Sequence, residues 1–319
     1  MDRTAHVSAA SPQPEAGGTV TAIAPLAARR RRSRRPRTAF VLSGGASLGA
    51  MQAGMLRALY ELRIAPDLLV ATSAGAINAS YVASRPQTVA TARGLAQIWR
   101  GLQRDDVFPV SPWVLASGLL GKRDHLVPAE ALRRLLCRHL QFEDLAGAPI
   151  PLHVVAFDLD AGAEVLLSDG PALDVIAASA AVPGVFPPVR VHDRLLIDGG
   201  VVNNTPISHA VALGAERIYV LPTVDPAFVP ATTSRGALGA AIGGIGLVMR
   251  SRFEADIALF SGEVELIVLP APNALQIMPT DFGHADRLLR DGLRAARQRL
   301  AQPLAALGDG PALRRDLVQ

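Results

Sequence analysis

Two short apolar runs, TAFVL (38–42) and LLVA (68–71), each give way at once to small residues and then to a helical pattern. SGGASLG (43–49) follows the first, and beyond it Met51, Met55, Leu59 and Leu62 recur at helical spacing as far as about Arg63. Thr72-Ser73 follows the second, and AGAINASYVAS (74–84) reads as the next helix, broken by Arg85-Pro86. Parallel neighbours need a crossover, usually a helix, so two successive strand-loop-helix units predict an α/β fold with a parallel sheet.

The pattern continues downstream. Helices are expected around 87–102 and 128–140, followed by a strand pair, PLHVVAFDL (151–159) and AEVLLSD (163–169), that turns at Asp160-Ala161-Gly162. RLLID (194–198) and RIYVLP (217–222) flank a helix beginning near Pro206. ELIVLP (265–270) precedes an amphipathic helix carrying Ala285, Leu288, Leu289, Leu293 and Ala296. The irregular 103–127 and the apolar, glycine-rich 226–250 are candidates for the rim of a substrate entrance. Within the latter, Gly236 to Met249 suits either an interfacial or pocket-lining helix or an ordinary core helix.

Charge is distributed unevenly. Residues 1–37 hold eight arginines against Asp2 and Glu15, a net of +6, so the rest of the chain carries −2 of the total of +4. This segment lacks apolar periodicity and is expected to be a disordered tail, with a second tail at 306–319 and a folded domain at 38–305 between them. No aromatic residues stand among Arg29 to Arg32, Arg34, Arg35 and Arg37 to stack bases, so nucleic acid is not the expected partner. Peripheral contact with an anionic membrane through residues 29–37 suits the charge better, and a solvated leader is the plain alternative. Cys137 is the only cysteine, which leaves no disulfide framework and fits a reducing cytoplasm. The chain has no uninterrupted run of about 18 strongly apolar residues, so no spanning helix is expected. The arginines followed by TAFVLSGGASLGAMQAGML have some features of an export signal, but without a clear cleavage site the stretch reads as folded.

The strongest chemical signal is ATSAG (71–75), between an apolar run and a helix. A serine on a sharp strand-to-helix turn is pushed out of the backbone, and the small neighbours Ala71 and Gly75 relieve crowding around it. The plain reading is that Ser73 caps the helix. In the glycine loop 43–49, backbone N–H groups can converge on an anion, as in an oxyanion hole. The rival is a dinucleotide loop, since Gly44, Ala46 and Gly49 fit a degraded G-x-G-x-x-G. Against it, the second glycine is alanine and Val70-Ala71-Thr72 offers no carboxylate for a ribose. In IDGGVVNNTPI (197–207), Asp198 ends an apolar run and Gly199-Gly200 follow, which puts a carboxylate at a strand-to-loop edge or marks a simple turn. His125, His139, His153, His192, His209 and His284 lack metal-like spacing.

Taken in order, the glycine loop, the serine elbow and the Asp-Gly-Gly segment resemble the patatin-like phospholipase family, over residues 38 to about 300. ASAAVPGVFPPV (178–189) and DFGHADRLLRDG (281–292) are also similar to bacterial members. The resemblance implies a three-layer α/β/α fold with a mainly parallel central sheet. It implies a serine carboxylic-ester hydrolase acting on phospholipids or related lipids, of phospholipase A or lysophospholipase type, with neither metal nor cofactor. Ser73 maps to the nucleophile, Asp198 to its base, and the loop amides of Gly44, Gly45, Ala46 and Ser47 to the oxyanion hole. Three residues depart from the family pattern: Ala46 and Leu48 stand where many members have glycine and arginine, and Ala71 replaces the first elbow glycine. Alanine still supplies an N–H, unless φ must be positive, at a cost on the order of 1 kcal/mol. Two further readings stand beside this one. A Ser73, Asp198 and His209 or His284 triad has the right chain order but too few strands ahead of the serine. A catalytically weak or inactive relative that binds lipid is suggested by Ala46 and Ala71.

Overall fold

A computed structural model of the chain describes residues 35–109, 113–114, 117, 125–225, 237–272 and 277–302. The expected tails, apart from 35–37, and much of the two irregular stretches lie outside these residues. The strands are β1 (Thr38–Leu42), β2 (Leu68–Thr72), β3 (Leu152–Asp158), β4 (Ala163–Leu167), β5 (Val189–Val191), β6 (Arg194–Asp198), β7 (Arg217–Leu221) and β8 (Glu265–Val268). A parallel block runs β3-β2-β1-β7-β8; β4 and β6 pair antiparallel with β3, and β5 pairs antiparallel with β6. The chain leaves β1 first toward β2 and later returns on its other side as β7, so the strand order reverses at the carboxyl end of β1. Open α/β sheets bind ligands at such a point.

Alternation along the strands feeds two cores. Phe40, Leu42, Leu69 and Ala71 enter one, and Ala39, Val41, Leu68 and Val70 the other. The first is covered by α1 (Ala50–Glu61), α2 (Ala74–Ala83), α3 (Val89–Gly101), the short α4 (Arg104–Val107), α5 (Glu130–His139), α6 (Ala172–Ser179) and, after the last strand, a helix at Ala285–Leu300. Between Asp198 and β7 come α7 (Gly200–Asn203) and α8 (Ile207–Ala212), and α9 (Ala237–Phe260) follows β7, which makes the final helix α10. The second core takes Ile207 and Ala210 from α8 and Phe253 from α9. The fold is thus three-layer α/β/α with a mainly parallel sheet, as expected.

Of the apolar stretch expected at 236–249, residues 237–249 form the first half of α9, a longer helix than its composition suggested. Phe253 of α9 packs on the second core, while Leu247 and Val248 are exposed. No described helix is long and apolar enough to cross a membrane.

Close approach of α1 and α10 is built on two glycines. A Cβ on Gly54 would lie 2.3 Å from the Leu289 carbonyl oxygen, and one on Gly292 would lie 2.5 Å from that of Met51. Backbone cannot yield as a side chain tip does, so Gly54→Ala is expected to destabilise the protein by about 2 kcal/mol in a urea melt. Gly101→Ala, where nothing lies within 4 Å, should instead be neutral or stabilising by up to about 1 kcal/mol.

Candidate functional site

The antiparallel strand β6 and the parallel strand β2 share one edge of β3. Both β4 and β6 pair with Ala156 to Asp158, so they lie on opposite edges; β2 pairs with Leu152 to Val155, alongside β6. The two strands therefore run head-on, with Thr72 opposite Val155 and Asp198 opposite Ala156. Ser73 leaves one strand end where Asp198 closes the other.

Ser73 Oγ donates to Asp198 Oδ2 at 2.6 Å, and Asp198 Oδ1 accepts from the Gly200 amide at 2.7 Å. Ser73 adopts φ 54° and ψ −125°, a strained turn for an L-residue. Its N–H donates to Ser179 Oγ at 2.9 Å, and that hydroxyl donates to the Val155 carbonyl at 2.7 Å. Gly75 is required because a Cβ there would come within 2.2 Å of the Leu42 carbonyl oxygen, whereas the Cβ of Ala71 is accommodated in the first core. Burial pushes the Asp198 carboxyl up to about 6, against the downward pull of the hydrogen bonds from Ser73 and Gly200.

Ser43 and Gly44 continue β1 into the glycine loop, which the protein holds from several sides. The Gly44 amide donates to the Asn204 carbonyl at 3.1 Å, and Thr223 Oγ1 donates to the Gly44 carbonyl. The Ser47 amide donates to the Pro279 carbonyl at 2.9 Å. The amides of Gly45 and Ala46 have no protein acceptor among the described residues, and Ala46 lies at φ 49°. Beneath the loop, Gln52 Nε2 donates to the carbonyls of Ser43 and Leu221, both at 2.8 Å, and Gln52 Oε1 accepts from Asn78 Nδ2. Trp99 Nε1 in turn donates to Asn78 Oδ1. Leu48 is buried in the first core.

Ser73 and Ala46 open onto an apolar pocket lined by Ile77, Trp99, Phe108, Leu132, Phe186 and Phe282 among others. Val107 and Phe108 put part of the irregular 103–127 stretch on its wall, and among the described residues α9 contributes no side chain to its lining. The candidate triad histidines are engaged elsewhere: His209 Nε2 bonds Glu164 Oε1 at 2.5 Å, and His284 Nε2 lies 3.3 Å from Asp281. Among the described residues no cluster of three or more His, Cys, Asp or Glu is gathered to hold a metal.

Sequence reasoning marked out Ser73, Asp198 and the loop but missed Ser179, Thr223, Asn204, Gln52 and Asn78. A signal existed for the last two, which are polar side chains inside otherwise apolar helical stretches.

A family model described as Patatin-like phospholipase matches residues 40–211, a span that holds the loop, Ser73 and Asp198. An uncharacterized NTE family protein of Mycobacterium tuberculosis is 33% identical over 195 residues, covering 60% of this chain and 51% of that protein. Human patatin-like phospholipase domain-containing protein 6 is 28% identical over 186 residues, covering 57% of this chain and 13% of its own length. The chain thus spans about half the length of the mycobacterial relative and far less of the human one. Among solved structures, VipD from Legionella pneumophila gives a TM-score of 0.45 at 14% identity, covering 86% of this chain and 67% of that one. Human GIVD cytosolic phospholipase A2 in complex with methyl gamma-linolenyl fluorophosphonate gives 0.40 at 13% identity, covering 86% and 59%.

The raised Asp198 carboxyl has a consequence for stability. Its ordinary value is 3.8 and its folded value about 6, so the native state holds an extra proton between them, and stability falls as pH rises through that window. Asp198→Asn, which carries no charge to bury, should gain on the wild-type protein by on the order of 2 kcal/mol between about pH 4 and pH 8. A difference in melting temperature that does not change across that range would contradict the assignment.

Proposed function

Since the chain belongs to the patatin-like phospholipase family, we propose that it hydrolyses carboxylic esters of phospholipids or related lipids with Ser73 as nucleophile and Asp198 as general base. The observation that carries this reading is the 2.6 Å hydrogen bond from a strained, pocket-facing serine to a buried carboxylate. Asp198 accepts the Ser73 proton as Oγ attacks the ester carbonyl, and an acyl-enzyme forms when the alcohol leaves with that proton. Water then attacks the acyl group with Asp198 again as base, which restores the serine. Burial suits the carboxyl to this task, because at about 6 it is a stronger base than a free aspartate yet ionised near neutral pH.

Negative charge on the attacked oxygen needs donors. The amides of Gly44 and Ser47 are already engaged, so the proposed oxyanion hole narrows to those of Gly45 and Ala46. Alanine at φ 49° carries strain on the order of 1 kcal/mol but keeps its N–H, which favours a working site over an inactive lipid-binding relative. The apolar pocket suits an acyl chain, with the ester held at its Ser73 end. We assign the activity to a domain at about 38–305 in a cytoplasmic protein, with peripheral contact to anionic membrane through the arginines of 29–37.

Ser73→Ala should lower hydrolysis of a soluble p-nitrophenyl ester by about a thousandfold or more and abolish labelling by a fluorophosphonate probe. Asp198→Asn should be nearly as damaging, while His209→Ala and His284→Ala each keep most of the activity. In the wild-type protein kcat/KM should rise with pH and level off above an inflection at about 6. Undiminished labelling of Ser73→Ala would move the nucleophile elsewhere, and a loss of about a thousandfold in either histidine variant would restore the triad.

A further inference from the structure

Ser73 immediately precedes α2, Ile77 and Tyr81 follow it at four-residue intervals along that helix, and all three line the pocket. At a rise of 1.5 Å per residue, Tyr81 stands about 12 Å from Ser73, the length of an extended saturated chain of about nine carbons. The Tyr81 ring meets that of His139, from the end of α5, edge-on at 6.2 Å. Both are pinned from behind by Arg85, whose guanidinium lies 3.8 Å from the Tyr81 ring centre and donates to the carbonyls of Tyr81 and His139. Gly94 leaves room for the phenol, since a Cβ there would come within 2.6 Å of its oxygen.

Beyond this pair lies a second cleft. It shares Tyr81, Ile98, Leu102, Leu135 and His139 with the first and is bordered on its far side by Arg85 and Arg138. The same side chains are therefore the inner wall of one space and the outer wall of the other. Burial, helped by Arg138 and Arg85, holds the His139 imidazole below its ordinary value, so it faces the apolar pocket uncharged at neutral pH.

We infer that the Tyr81–His139 pair is the end stop of the acyl pocket and makes the protein selective for medium-length saturated chains of about eight to ten carbons. The inference rests on Ser73 as the point where the acyl carbonyl is held. A longer chain must either leave its tail outside or push the pair aside into the outer cleft, and each methylene without apolar contact loses its share of binding.

Two measurements test it. With p-nitrophenyl esters from butyrate to palmitate, kcat/KM of the wild-type protein should peak at octanoate or decanoate. Tyr81→Ala, which joins the pocket to the outer cleft, should raise the palmitate-to-octanoate ratio about tenfold or more, and Ile77→Phe should lower the decanoate-to-butyrate ratio. Equal use of palmitate and octanoate by the wild-type protein, or an unmoved ratio in folded Tyr81→Ala, overturns the end stop. The second measurement bypasses catalysis: fatty acids bound to Ser73→Ala should gain affinity with length up to about decanoate and then level off, and the gain should continue to palmitate when Tyr81→Ala is added. A gain that continues past decanoate in Ser73→Ala alone overturns the inference even if esters are cleaved. A clear break at decanoate supports it even if the esterase reading fails.

Discussion

One backbone torsion carries the rest of the site. Ser73 at φ 54° and ψ −125° occupies a region that costs on the order of 1–3 kcal/mol and persists only where the surroundings over-determine it. They do so here from every polar atom of the residue. Its N–H is taken by Ser179, its hydroxyl by Asp198, and its carbonyl accepts from the amides of Ala76 and Ile77 in the first turn of α2. Relaxing the torsion would swing the hydroxyl away from Asp198 and break the packing of Gly75 on the carbonyl of Leu42. Strain at the turn and order in the elements around it are the same fact seen from two sides.

The glycine loop is held by a different kind of contact. Gln52, Asn78 and Trp99 come from three helices and join the ends of β1 and β7 through a chain of buried hydrogen bonds. In a region screened from water such a chain is stabilising only while every member is satisfied, since one orphaned group costs on the order of 1–3 kcal/mol. The network thus fixes where the loop amides point by making any other arrangement leave a polar atom unpaired. The Leu48 side chain adds apolar packing beneath the same loop, and its amide donates to the Gly45 carbonyl at 3.0 Å.

Much of this was legible in the residues themselves because it is local. Short apolar runs ended by Gly or Ser located β1, β2 and the loops after them, and the periodicity of Met51, Met55 and Leu59 located α1. Asp198 was legible for the same reason, as a carboxylate at the end of RLLID. What escaped was non-local. That β2 and β6 meet head-on depends on pairing with β3, which no spacing encodes, and Ser179 matters only because that meeting leaves the Val155 carbonyl and the Ser73 amide within reach of one hydroxyl. The three-residue β5 is too short to show a period, and helix α6 is too uniformly apolar to show a face. The continuation of α9 past Met249 was hidden by a change from apolar to charged composition that the glycine-rich first half did not foreshadow.

The head-on junction also orders events in time. Ribosomal synthesis delivers β1, the glycine loop, β2 and Ser73 well before Ser179 and Asp198, which emerge about a hundred residues later, and Thr223 later still. Until β6 docks against the far half of β3, the hydroxyl of Ser73 has neither its carboxylate partner nor the buried setting that makes that carboxylate basic. Contacts across such sequence separations close late in folding. Were Ser73 the nucleophile we propose, it would therefore be latent on the nascent chain, and its pairing with Asp198 coincides with completion of the sheet.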